Sequence, residues 1–174
     1  MPRQPVIDAL EFAEAGASLR GDFAAADFAR LRDKLAAGCG GVEYELQGCH
    51  DTQGRPALQL RMRGSLQLVC QRCLGAVEQP VDIDSQLVLA ASQAEIDREP
   101  LTPEGPDRVV ASRSMPVREL IEDELLLAVP YAPRHARCAL QGAAGSDSTR
   151  SPFAGLGALL GDRDAGRRKR GGKH

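Results

Sequence analysis

Tryptophan is absent from this chain, and four phenylalanines and two tyrosines are the only aromatics among its 174 residues. A core of ordinary size must therefore be aliphatic, built from leucine, valine, isoleucine and alanine. No run of about 18 apolar residues occurs, so no segment meets the length requirement for a membrane-spanning helix. The opening MPRQPVIDALEFAEAG lacks the basic, apolar, small-residue order of a secretory signal, and a cytoplasmic protein is expected. Histidine occurs three times, once as the last residue. There is no glycine-rich phosphate loop between a strand and a helix, no GxSxG and no HExxH. These absences close the common routes to hydrolase, phosphoryl-transfer and metalloprotease chemistry, and no enzyme is expected.

What is present begins with five cysteines, Cys39, Cys49, Cys70, Cys73 and Cys138. An odd count without a secretion signal argues against a disulfide framework and for reduced thiols, some of them free to bind metal. The net charge of -2 conceals an asymmetry. From Arg163 onward six basic residues face one acid, giving the tail +5, whereas residues 1–162 carry 16 basic against 23 acidic residues, or -7. An acidic body repels phosphate, so contact with nucleic acid has to come from the tail or from local patches.

Along the chain, Ile7 to Glu14 reads as a short helix begun by Asp8, followed by an extended ASLRGDF. Asp27 is read as the N-cap of a second helix, because Phe28, Leu31 and Leu35 recur at intervals of three and four. The period then changes to two: Val42, Tyr44 and Leu46, then Leu58, Leu60 and Met62, then Leu66, Leu68 and Cys70 lie on one side, with Gln59, Arg61, Arg63 and Gln67 opposite. Val77, Val81, Ile83, Leu87 and Leu89 continue the alternation, which predicts an antiparallel meander with Pro80 at an edge or bulge. Residues 93–107 read as an exposed loop, and Arg108 to Ala111 as a short strand. A helix is expected from Pro116, with Ser114 as a candidate cap, until Pro130 stops it. Its apolar face holds Val117, Leu120, Ile121, Leu125 and Ala128, and Glu119, Glu122, Asp123 and Glu124 make much of the rest negative.

The fold class that follows is α+β: an antiparallel meander sheet packed by two or three helices, with a flexible C-terminal arm. Residues 1–140 are expected to form one domain. Residues 141–174 are expected to hold a linker, a short amphipathic motif at SPFAGLGALL and the basic tail. The expected core is Leu31, Leu35, Leu58, Leu60, Leu66, Leu68, Leu120, Ile121 and Leu125.

The thiols at Cys70 and Cys73 are spaced CxxC, and their chemistry depends on their setting. A thioredoxin-like pair needs a helix N-terminus to lower the thiol pKa, whereas strand residues flank this pair on both sides. A zinc site needs four nitrogen or sulfur ligands, and His135 and Cys138 supply the matching HxxC after Pro130 and Pro133. Three readings stay open on spacing alone: a Cys3His zinc site of Cys70, Cys73, His135 and Cys138, a metal-free structural cluster, or a thiol oxidoreductase. Cys39 and Cys49 are read as plain thiols, although Cys49 with His50 can substitute as a ligand pair.

Three segments, GSLQLVCQRCLGAV, VRELIEDELLLAVPYAPRHARC and SPFAGLGALL, together resemble the YceD family, the large ribosomal RNA subunit accumulation proteins of bacteria. The resemblance implies a non-enzymatic role in the synthesis, processing or stability of 23S rRNA and in large-subunit assembly, at a cytoplasmic location. Cys70, Cys73 and the acidic helix match the family motif, whereas some members carry two further cysteines where this chain has His135 and Cys138. On that basis Glu119, Glu122, Asp123 and Glu124 are expected to meet a ribosomal protein or assembly factor. Arg167, Arg168, Lys169 and Arg170 are expected to touch rRNA phosphates, the other reading of the tail being a solubilising end. With so few aromatics, recognition of bases is not expected. A zinc-stabilised protein-interaction module is the alternative that shares this fold.

Overall fold

The computed structural model describes residues 5–36, 40–98 and 105–138. The chain divides into two compact units, Met1–Arg137 and Cys138–His174, and every element below belongs to the first. The linker, the amphipathic motif and the basic tail all lie outside the described residues, as does Cys39.

The main sheet has five strands in sequence order: β2 (Ser18–Ala24), β3 (Gly41–His50), β4 (Pro56–Val69), β5 (Ala76–Ala90) and β6 (Asp107–Val110). The first four are antiparallel neighbours, and β6 joins β5 in parallel through Leu87 to Ala90 only. The result is the α+β meander expected from the period-two alternation, with a parallel edge strand added. Pro80 pairs with Ser65 on the β4 side and lies outside the short stretch where β6 covers β5. That position tolerates a residue with no N–H to donate. A second, two-stranded sheet pairs β1 (Val6–Ile7) with β7 (Met115–Pro116).

One sheet face forms the core: Val42, Tyr44, Leu46, Leu58, Leu60, Met62, Leu66 and Leu68 are all buried, on the alternation read from sequence. The other face is a ladder of charge, in which Arg20 pairs with Glu45, Arg61 with Asp84 and Arg63 with Asp82 across adjacent strands. Two helices close the core. Helix α1 (Ala9–Glu14) is capped by Asp8, whose carboxylate accepts the Glu11 N–H at 3.2 Å, and it buries Ala9 and Ala13. Helix α3 (Val117–Ala128) buries Val117, Leu120, Ile121 and Leu125. It starts one residue after the expected proline: Pro116 is its extended N-cap, without a side-chain cap bond, and the Ser114 side chain has no part in the cap.

Two expectations are corrected. Asp27 begins no α-helix; the segment forms two 3₁₀ turns, Ala25–Asp27 and Arg32–Lys34. The Asp27 carboxylate turns back to accept the Ala24 N–H at 3.1 Å, and Leu35 forms a bridge to Leu68 while the Ala36 N–H reaches the Gln67 carbonyl at 2.8 Å. Spacings of three and four serve two consecutive turns as well as a helix, and Phe28 and Leu31 still reach full burial. Residues 93–107 are not wholly loop, since α2 (Gln93–Arg98) is a six-residue helix that buries nothing. Local polar bonds hold it, Glu95 to the Ala91 N–H and Gln93 to Asp97, and these leave no apolar period to detect. Among the described residues no helix is long and apolar enough to cross a membrane.

Candidate metal centre

Strand β4 ends at Val69, and the next residue, Cys70, is fully buried on the core side of the sheet. The chain then turns tightly before β5. The Cys70 N–H donates to the Gly75 carbonyl at 2.8 Å and the Leu74 N–H to the Cys70 carbonyl at 2.9 Å, with Leu74 in the left-handed region at φ 59°. The segment leaving α3 meets this turn through a hydrogen bond of 2.8 Å from the Gln71 N–H to the Pro133 carbonyl. Pro130 and Pro133 hold that segment extended, which brings His135 beside Cys73.

The ligand atoms of Cys70, Cys73, His135 and Cys138 all lie within 4.8 Å of one another. Zn–S bonds of about 2.3 Å in a tetrahedron place neighbouring ligand atoms roughly 3.8 Å apart, so the four atoms are close to the span a zinc ion requires. Cys73 Sγ and His135 Nδ1 are 3.4 Å apart, and His135 Nε2 is 2.8 Å from the Ala76 carbonyl oxygen. A carbonyl can only accept, so Nε2 carries a proton, and in the neutral ring Nδ1 then keeps its lone pair toward the cluster. This is the tautomer that a metal-ligating histidine needs.

The Cys70 thiol is arranged for the ionised form. Burial pushes the Cys70 thiol up, but the backbone N–H groups of Cys73, Arg72 and His135, with the Cys73 side chain, outweigh it and bring Cys70 down to about 5. N–H···S bonds of this kind stabilise a thiolate, which is the species a metal binds. The same depression favours a redox nucleophile. However, Cys70 is 0% exposed, and no helix begins at the pair. A disulfide exchange partner would have to reach a sulfur that the fold covers.

Of the other expected sites, the structure separates the acidic helix into two classes. Glu119 and Asp123 are exposed, whereas Glu122 and Glu124 are buried. Glu122 accepts the Arg30 backbone N–H at 2.6 Å and its Nε at 3.1 Å, and Asp123 accepts Arg30 Nη1 at 2.5 Å. Arg30 thus fastens the 3₁₀ segment to α3, a pairing over 92 residues that no local pattern discloses. Cys49 stands apart from the cluster with Gln86 Nε2 at 3.9 Å, and His50 faces Glu14 at 3.5 Å, so neither joins the four ligands. Arg167, Arg168, Lys169 and Arg170 lie outside the described residues.

A meander sheet whose last turn meets the exit of a helix at a Cys3His cluster is a scaffold with a group of side chains able to hold a metal ion. The chain belongs to the YceD family: the model of the large ribosomal RNA subunit accumulation protein YceD matches residues 58–160, more than half of the sequence. Comparison with curated proteins and with solved structures gives no match. The family ties the chain to large-subunit ribosomal RNA accumulation.

Proposed function

We propose that this protein is a non-enzymatic, cytoplasmic factor that supports 23S rRNA synthesis, processing or stability during large-subunit assembly, and that a zinc ion held by Cys70, Cys73, His135 and Cys138 fixes its working surface. The observation that carries the zinc reading is the convergence of three sulfurs and one imidazole nitrogen within 4.8 Å from positions 62 residues apart at their widest chain gap, Cys73 to His135. The family supports the ribosomal reading. When bound, zinc supplies a structural crosslink and no reaction. The four residues fix its place, the Ala76 carbonyl holds the histidine tautomer, and the N–H donors hold the buried thiolate.

Glu119 and Asp123 are the exposed members of the acidic set, and they are proposed to meet a basic ribosomal protein or assembly factor, Asp123 while shared with Arg30; Glu122 and Glu124 support the helix from within. The tail residues Arg167, Arg168, Lys169 and Arg170 are proposed to touch rRNA phosphates. A thiol oxidoreductase is the weaker reading, because attack by Cys70 requires a buried sulfur to become accessible.

Elemental analysis of protein purified without chelator tests the metal, with about one zinc per chain expected. Cys70→Ser and Cys138→Ser should each lose it; retention in Cys138→Ser would remove that residue from the ligand set. Ribosome profiles of a deletion strain test the function. A fall in large subunits and in 23S rRNA is expected, and normal levels would refute the assignment.

A further inference from the structure

We propose that the metal-centred end of the sheet is an RNA-backbone contact surface, in which Arg72, Arg134 and Arg137 receive phosphates and Tyr131 offers a stacking face. The proposal rests on the reading above and gives it a place of contact.

The ligand-bearing segments are unlike the rest of the body in charge. Residues 70–75 and 130–138 contain three arginines and no carboxylate, within a stretch of chain, residues 1–162, whose balance is -7. Each arginine sits beside a ligand: Arg72 between Cys70 and Cys73, Arg134 before His135, Arg137 before Cys138. All three are exposed, and among the described residues none of their guanidinium groups has an ion pair or hydrogen bond, the Arg72 contact to Cys70 being through its backbone N–H. On the sheet's polar face, by contrast, Arg20, Arg61 and Arg63 are each engaged by a carboxylate on the next strand. A guanidinium left without a carboxylate in an acidic protein is open to an external anion, and its planar donor fork suits a phosphate.

Two further features favour RNA over an acidic polypeptide. Tyr131 is 97% exposed, an unusual position for one of only six aromatics, and Leu74 at the tip of the turn is 75% exposed. An exposed aromatic ring beside unpaired arginines is the pairing that single-stranded nucleic acid uses, since bases stack while the backbone is neutralised. The second 3₁₀ turn adds Arg32 and Lys34 near this end, because Leu35 bridges Leu68, two residues before Cys70. Asp33 and Glu78 are the carboxylates on these neighbouring segments, and they leave the surface basic overall. A single ring reads no sequence, so the contact is with backbone and any exposed base.

The test uses the full zinc-loaded chain, tail intact, with a fluorescent single-stranded RNA 20-mer as probe and affinity measured across potassium chloride concentrations. Replacing Arg72, Arg134 and Arg137 together by glutamine should lower the slope of log K against log salt by about 2, from about 0.7 for each of three lost contacts. Lysine at the same three positions should keep the slope. Tyr131→Ala should weaken binding about 5-fold or more at fixed salt without changing the slope. Zinc content and circular dichroism should match the parent in every variant. An unchanged slope in a triple variant that keeps zinc and fold overturns the proposal. So does an affinity for polyglutamate that the glutamine substitutions abolish while RNA binding persists, which assigns the surface to an acidic protein. In cells, normal 23S rRNA with the triple variant but not with the deletion rejects this surface and leaves the ribosomal reading standing; normal 23S rRNA in the deletion rejects that reading itself.

Discussion

Between Glu119 and Glu124, α3 places four carboxylates in four different settings. Glu119 meets solvent, Glu122 is buried against Arg30, Asp123 shares that arginine from the surface, and Glu124 is buried beside Ser85. Sequence identifies all four as one negative stripe, because period and charge are all it can weigh; a partner 92 residues away decides which of them are free. Burial raises the Glu124 carboxyl above its ordinary 4.5; the Ser85 hydrogen bond opposes the rise, and Asp107 and Asp123 add to it. The folded chain therefore holds this proton more tightly than the unfolded chain. Its contribution to stability is fully present below 4.5 and is lost as pH rises through the raised folded value. Asp51 works in the opposite sense at lower pH. Burial tends to raise it, but the Arg55 and Gln53 N–H groups and the Arg55 side chain bring it below 3.8, so its contribution is lost only as pH falls through that lowered value. Glu124→Gln removes the titrating group and retains a hydrogen-bonding side chain for Ser85. Urea midpoints measured from pH 4.5 upward should decline for the parent and stay flatter for Glu124→Gln. Parallel curves would show that Glu124 does not titrate in the fold as its setting requires.

At the scale of elements, the strands were legible and the connections were not. Alternation marks β3, β4 and β5 because each has one dry face, and eight of the nine expected core residues are buried, with Leu35 partly so. The CxxC turn and its HxxC counterpart were legible as ligand spacing; that they converge depends on the Gln71 to Pro133 hydrogen bond, a contact between distant segments. The supposed helix at Asp27 fails because the chain is recruited to extend the β4 edge at Leu35, where a tertiary bond outweighs a local period. Gly48 carries another such contact. Helix α1 crosses β3 so closely there that a Cβ would overlap the Phe12 carbonyl oxygen, and the Gly48 N–H donates to the Ala17 carbonyl at 2.8 Å. Nothing in QGCH announces that a helix lies on it. Gly48→Ala should force α1 outward and cost about 1–3 kcal/mol, as overpacking does. Denaturant unfolding gives the magnitude, and hydrogen exchange should place the loosening in α1 and β3 first. A change below about 0.5 kcal/mol would mean that the helix yields without strain.

For the molecule as a whole, the question is how much of the fold would depend on the proposed zinc ion. The core cluster draws on β2 to β5, α1, α3 and the 3₁₀ segment, and none of the four candidate ligands belongs to it, although Cys70 is buried. Each buried leucine there contributes roughly 1.5–3 kcal/mol before entropy is counted, independent of any ion. The ligands instead close one end, where the extended exit from α3 is held to the β4–β5 turn by the Gln71 to Pro133 hydrogen bond and by the contact between Cys73 and His135. Stripping zinc should therefore leave the sheet folded and release the exit segment, in contrast to small zinc domains that unfold without metal. Hydrogen exchange on chelated protein is the measurement. The amides of Gln71, Arg72, Cys73 and His135 should lose protection, whereas those of β3 and the first half of β4 should keep theirs, with a lower melting temperature for the whole. Uniform loss of protection would make the ion part of the core's own stability. Unaltered protection at Gln71 would mean that zinc does not hold this end closed, and with it would go the fixed surface on which Arg72, Arg134 and Arg137 are presented.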